Sequence, residues 1–136
     1  AVAPSIPLIA AGGLRTAEEV TQVLSLPGVA AASCGSAFLL SKEAGTSDYN
    51  RKLLRRGGAT VSTRAFSGRH ARGLETDYTR THPDLPPVYP MLNSVLKERR
   101  AQHDGAVAYC LVGEPAAKIR GGSVADILDP LCQNKH

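Results

Sequence analysis

Tryptophan is missing from this chain of 136 residues, and aromatic side chains make up only 4% of it. Proteins that hold single-stranded nucleic acid stack bases on aromatic rings, so that class finds little support. The three cysteines, Cys34, Cys110 and Cys132, are odd in number and form no CxxC spacing. A disulfide framework or a zinc site is therefore not expected, and Cys34 reads as a small buried hydrophobe rather than a nucleophile. No run of eighteen apolar residues occurs, so no membrane-spanning helix is expected. The first fifteen residues lack a basic leader followed by an apolar core, and the expected location is the cytoplasm. Internal repeats and low-complexity tracts are lacking too.

What is present is an ordinary globular composition, 43% hydrophobic and 21% charged. The net charge is +4 and the isoelectric point is near 9.2. A basic balance can mark a nucleic-acid surface, but the positive residues are scattered along the chain. Arg51, Lys52, Arg55 and Arg56 fall on one or two turns of an expected helix and read as a solvated face. No nucleic-acid partner is expected.

Two glycine-bearing turns carry the strongest signal. The first ends the run Pro7-Leu8-Ile9-Ala10-Ala11-Gly12-Gly13, and the second ends Val29-Ala30-Ala31-Ala32-Ser33-Cys34-Gly35-Ser36. Short continuous apolar runs are the mark of parallel strands buried on both faces. Between them, Thr16 and Glu19 form a capping box, Val20, Val23, Leu24 and Leu26 give an apolar helical face, and Pro27-Gly28 stops the helix. The unit reads as strand, turn, helix, strand, turn. Glycine at a strand end lets the backbone approach a ligand, and backbone N–H groups there suit an anion. Gly12, Gly13, Gly35 and Ser36 are thus candidate phosphate ligands, with the Ser36 hydroxyl as one further donor. Consecutive turns of this kind describe the phosphate grip of the last two loops of a (β/α)₈ barrel. Periodicity alone also allows an open doubly wound sheet, and a Gly-Gly pair can be only a tight turn.

Further on, Ser47 is expected to open a helix that Gly57-Gly58 closes. Ala59 to Phe66 reads as a short strand, and Ser67 to Gly73 as a loop. Four prolines, Pro83, Pro86, Pro87 and Pro90, keep Thr76 to Pro90 from long regular structure. Tyr89 to Arg100 is amphipathic, with Leu92, Val95 and Leu96 expected inward and Lys97 to Arg100 in water. Ala106 to Val112 fits a strand or a buried turn of helix. Ser123 to Asp126 is a second capping motif for a terminal helix, which Pro130 is expected to shorten. Three segments follow: 1–66, a partial barrel with the phosphate turns; 67–90, a Gly/Arg/Pro-rich loop; and 91–136, a helical C-terminal segment.

Pro7 to Leu14, Cys34-Gly35-Ser36-Ala37-Phe38 with Ser41-Lys42-Glu43 behind it, and Arg64-Ala65-Phe66-Ser67-Gly68-Arg69-His70-Ala71-Arg72-Gly73 together resemble the nitronate monooxygenase family, and also the related flavin-dependent enoyl reductases. The likeness is good from Ile6 to Arg72 and looser through Tyr89 to Asn93 and Gly113 to the end. The family more often has Gly-Thr where this chain has Gly35-Ser36, and serine keeps the hydroxyl.

The resemblance implies an α/β fold, the C-terminal portion of a (β/α)₈ barrel that holds FMN. It implies that Ala11 borders the flavin, beside the phosphate ligands Gly12, Gly13, Gly35 and Ser36. The implied reaction oxidises a small anionic substrate, an alkyl nitronate, with O₂ to a carbonyl compound and nitrite. A barrel of this kind takes about 250 residues, so the chain reads as a fragment or split subunit, inactive alone. A complementary N-terminal half, or self-association, is the expected partner. The family's catalytic histidine matches none of His70, His82, His103 or His136, and no catalytic residue is assigned. An FMN-dependent enoyl-thioester reductase and a non-catalytic remnant or interaction module are the alternatives. Arg69 and Arg72 are expected to pin their loop, since a planar guanidinium suits that task; the competing role is shaping the flavin rim. Arg15 is expected at the surface.

Overall fold

The computed structural model describes residues 6–132. They form two compact units. One gathers the residues up to Thr46 with those from Lys118 onward, and the other runs from Ser47 to Ala117.

In the first unit, β1 (Leu8–Ala11) and β2 (Val29–Ser33) pair in parallel, with Ala11 opposite Ser33 at their C-terminal ends. The crossover between them is α1 (Ala17–Leu24). The expected capping box is formed: Glu19 N–H donates to Thr16 Oγ1 at 3.2 Å, and Thr16 N–H donates to Glu19 Oε2 at 3.1 Å. A single 3-10 turn covers Ser36–Phe38. The terminal helix α6 (Val124–Cys132) has its own reciprocal cap, in which Asp126 N–H donates to Ser123 Oγ and Ser123 N–H to Asp126 Oδ2. Pro130 does not cut this helix short, and the helix continues to Cys132. The lost N–H belongs to the last turn of an exposed face, where water can serve the carbonyl that goes without it.

The core of this unit is Leu14, Val20, Ala37, Ile127 and Leu131, with Val23, Leu24, Ala32, Cys34 and Phe38 packed against it. α1 and α6 supply most of it. The strands are not buried on both faces as expected: Leu8 is 50% exposed and Ile9 68%. Among the described residues of this unit the sheet has two strands, which leaves these apolar side chains of β1 partly open to water.

The second unit opens with α2 (Asp48–Arg56). Asn50 N–H donates to the Ser47 hydroxyl at 3.2 Å, and Gly57, at φ 72°, ends the helix. An antiparallel hairpin follows, β3 (Thr60–Thr63) against β4 (Ala71–Leu74). The loop expected over Ser67–Gly73 is therefore a loop only to His70. The strand Ala71-Arg72-Gly73-Leu74 lacks β-branched residues, so its pairing is imposed by β3 and by the Leu111 bridge to Gly73.

The helix α3 (Asp77–Thr81) is one short element capped by Thr76. The amphipathic stretch is two short helices, α4 (Met91–Val95) and α5 (Lys97–Ala101), hinged at Leu96. Leu96 is buried as expected, whereas Val95 is 73% exposed because it lies on the outer side of the first of these helices. Ala106 to Val112 begins in a 3-10 turn and continues as extended chain. Phe66, Leu54, Leu74, Leu96, Val107, Cys110 and Val112 are buried in this unit.

Candidate functional site

The parallel pairing of β1 and β2 decides where the candidate ligands lie. Because Ala11 and Ser33 are register partners, the Gly12-Gly13 and Gly35-Ser36 turns leave the sheet at the same end. Ala11, Gly12 and Gly35 are exposed; Gly13 and Ser36 are half-buried. Gly12 and Gly13 adopt φ of 99° and 74°, a region that favours glycine, so this turn needs them for its path. Gly35 is different. Its φ is −87°, and a Cβ built on it would meet nothing within 4 Å. Neither backbone strain nor packing among the described residues accounts for glycine there. Open space also lies beyond Gly12. Two bare backbone turns thus face an uncrowded volume, which an anionic group can approach closely.

Arg15 does not lie at the surface as expected. It is 6% exposed, and its Nη1 donates to the Gly13 carbonyl at 3.1 Å. Its own N–H donates to Glu19 Oε2 at 2.8 Å. The capping box therefore turns the backbone inward just after the glycines and takes Arg15 with it, so that the guanidinium braces the turn.

The arginine loop of the second unit is held from several sides. Arg72 Nη1 donates to Glu114 Oε2 at 3.2 Å and to Thr60 Oγ1 at 3.1 Å. Arg69 lies over the Tyr89 ring, 4.1 Å from its centroid, a cation–π contact. The Arg69 contact fixes the loop, and Arg72, on β4, ties the hairpin across to Thr60 and on to Glu114. Arg100, expected in water, is instead half-buried. Its guanidinium donates to the carbonyls of Phe66 (2.6 Å) and Val107 (3.0 Å) and to Asn93 Oδ1 (2.9 Å), and it lies over the Tyr109 ring. Burial lowers its pKa, and no carboxylate is among these partners. One signal was legible: Arg100 is four residues after the inward-facing Leu96, and hence on the same helical face.

Histidines stay peripheral. His82 stacks on Tyr78 and His103 lies edge-on to Tyr49; His70 is exposed, and His136 is outside the described residues. Cys34 is half-buried, and burial raises its pKa, helped by Cys132 and Glu19. Among the described residues no group of His, Cys, Asp and Glu is arranged to hold a metal ion, and no helix is long and apolar enough to cross a membrane.

A model of the nitronate monooxygenase family matches residues 1–132. A protein described as a probable nitronate monooxygenase from Staphylococcus haemolyticus is 32% identical over 104 residues, covering 71% of this chain and 28% of the relative. One from Staphylococcus aureus is 33% identical over 102 residues, with the same coverage. The solved nitroalkane oxidase of Streptomyces ansochromogenes superposes with a TM-score of 0.83 at 31% identity, over 93% of this chain and 38% of that one. FabK from Thermotoga maritima superposes with a TM-score of 0.73 at 26% identity, over 93% and 43%. The chain thus spans less than half the length of each.

Proposed function

Because the chain belongs to the nitronate monooxygenase family, we propose that it is the phosphate-gripping, C-terminal portion of a (β/α)₈ barrel in an FMN-dependent oxidoreductase that acts on alkyl nitronates with O₂. The observation that carries this reading is the pair of glycine turns at one end of a parallel strand pair, both facing open space. The geometry fits a flavin phosphate: Gly12, Gly13, Gly35 and Ser36 would hold it, with Ala11 bordering the ring system. When bound, FMN supplies the electron-accepting chemistry by which a nitronate and O₂ yield a carbonyl compound and nitrite.

The chain's own contribution is binding and shape. Arg15 fixes the path of the first turn through the Gly13 carbonyl. Bare backbone at Gly12 and Gly35 leaves room for a phosphate, which a side chain would take up. Strand β1 exposes Leu8 and Ile9, apolar side chains on opposite faces of the strand that the rest of a barrel would cover, supplied by a complementary N-terminal half or by self-association. Cytoplasmic location belongs to the same reading. The likeness to FabK fits the alternative, an FMN-dependent enoyl-thioester reductase, only weakly.

The test is flavin retention. In a protein completed with the remaining barrel, Gly13→Val is expected to abolish FMN binding, because its φ of 74° and the phosphate both exclude a branched side chain. Unchanged flavin content in that variant would remove the assignment. The 136-residue chain alone is expected to form no nitrite from a nitronate.

A further inference from the structure

Two of the three cysteines, far apart in sequence, meet in the first unit. Cys34 directly follows β2 and precedes Gly35, and Cys132 is the last residue of α6. Helix α6 packs on α1 and on the Ser36–Phe38 turn, which begins two residues beyond Cys34. Cys34 itself rests against the cluster to which α6 contributes Ile127 and Leu131, and Leu131 is the chain neighbour of Cys132. The two thiols are near enough for the charge of one to reach the other. Burial is the first cause of the raised Cys34 pKa, and Cys132 is the second, ahead of Glu19. Their exposure differs: Cys132 is exposed and Cys34 half-buried. Cys110 belongs to the other unit and is buried.

We propose that Cys34 and Cys132 are a redox pair, which a small-molecule disulfide of the glutathione class oxidises to an intramolecular disulfide that fastens the end of α6 to the end of β2. Disulfides in reducing compartments are transient and redox-sensing, and a half-exposed pair suits that use. The exposed Cys132 thiolate attacks oxidised glutathione, forming a mixed disulfide and releasing one glutathione thiolate. The Cys34 thiolate then attacks the Cys132 sulfur, the protein disulfide forms, and the second glutathione leaves as thiolate. Two cysteine thiols are oxidised, one glutathione disulfide is reduced to two thiols, and the two cysteine protons pass to them. The first step also removes the Cys132 charge from beside Cys34, which eases ionisation of the second thiol. None of the turn residues takes part, so the pair stands or falls independently of flavin binding.

The experiment incubates the reduced chain with oxidised glutathione at mildly alkaline pH, quenches with acid, and reads intact mass and the peptide map. The expected product is about 2 Da lighter than the reduced chain, two hydrogens having been lost, with Cys34 and Cys132 in one linked peptide pair. Cys34→Ser is expected to halt at the glutathione adduct on Cys132. In concentrated urea the cross-link is expected to form about tenfold more slowly, because the ends of a long loop then meet rarely. A glutathione adduct that persists on Cys132 of the parent, a link made to Cys110 instead, or equal rates with and without urea would each overturn the proposal.

Discussion

Gly68 lies so close to Tyr89 that a Cβ added to it would sit 2.3 Å from the Tyr89 nitrogen. Its φ of 93° is unfavourable for other residues as well. The arginine loop and the segment before α4 are thus locked backbone to backbone, and this contact holds Tyr89 where Arg69 can lie over its ring. Gly68→Ala is expected to destabilise the chain by about 3 kcal/mol, at the upper end of overpacking costs. Urea unfolding measures it. A midpoint unchanged from the parent would show that the two segments are not in contact.

Arg100 offers a second test. Removing it strands the Phe66 and Val107 carbonyls and the Asn93 side chain together. Arg100→Met keeps the length of the stem and is expected to cost about 2 kcal/mol, the range for hydrogen bonds to a charged group. Lysine is not expected to rescue it, since one ammonium cannot reproduce the fork. Equal melting temperatures for the parent and Arg100→Met would count against this role.

The α6 cap gives a pH-dependent outcome. Asp126 has its pKa held below its ordinary 3.8, first by the Ser123 N–H, then by the Ser123 hydroxyl, with Lys42 adding to it. A depressed folded-state value stabilises the fold above the ordinary pKa and loses that contribution as the pH falls through the folded one. The parent is therefore expected to melt above Asp126→Ala at neutral pH. The gap should close as the solution is acidified below the ordinary carboxylate range. A gap independent of pH would mean that the carboxylate charge has no part in the cap.

Thiol labelling should rank the cysteines by burial and ionisation. Cys132 is exposed, Cys34 is half-buried with a raised pKa, and burial pushes Cys110 up to about 11. Alkylation at mildly alkaline pH is expected at Cys132 first, Cys34 next and Cys110 last, because the thiolate is the reacting form. Mass spectrometry of timed samples gives the order. Early loss of the Cys110 thiol would contradict its burial.

The elements whose signals are local were readable from sequence. The Thr16–Glu19 and Ser123–Asp126 caps, the Ser47 start and the Gly57 stop are each decided within a few residues, and each is found where the sequence places it. Family membership was legible from the Arg64–Gly73 string and the two turns. Features set by distant partners were not readable. Strand β4 exists because β3 and Leu111 offer it hydrogen bonds, not because Ala-Arg-Gly-Leu favours extension. Arg15 and Arg100 look like solvent residues until the backbone carbonyls they serve are in place. Exposure of Ile9 is likewise a matter of what lies beyond the strand, which its own residues cannot report.

One feature of the first unit reaches beyond binding. Ser41 and Gly122 form a parallel bridge, and Lys42 N–H donates to the Gly122 carbonyl at 2.8 Å. Val124 N–H donates to Glu43 Oε2 at 2.9 Å, close by. The chain therefore leaves this unit and re-enters it through a single fastened doorway. A protease that nicks anywhere between Ser47 and Ala117 would leave two pieces still buttoned together, with α6 seated on α1. The same fastening means that lengthening or shortening the intervening stretch carries a small entropic cost, since closing a longer loop costs little more than closing a short one.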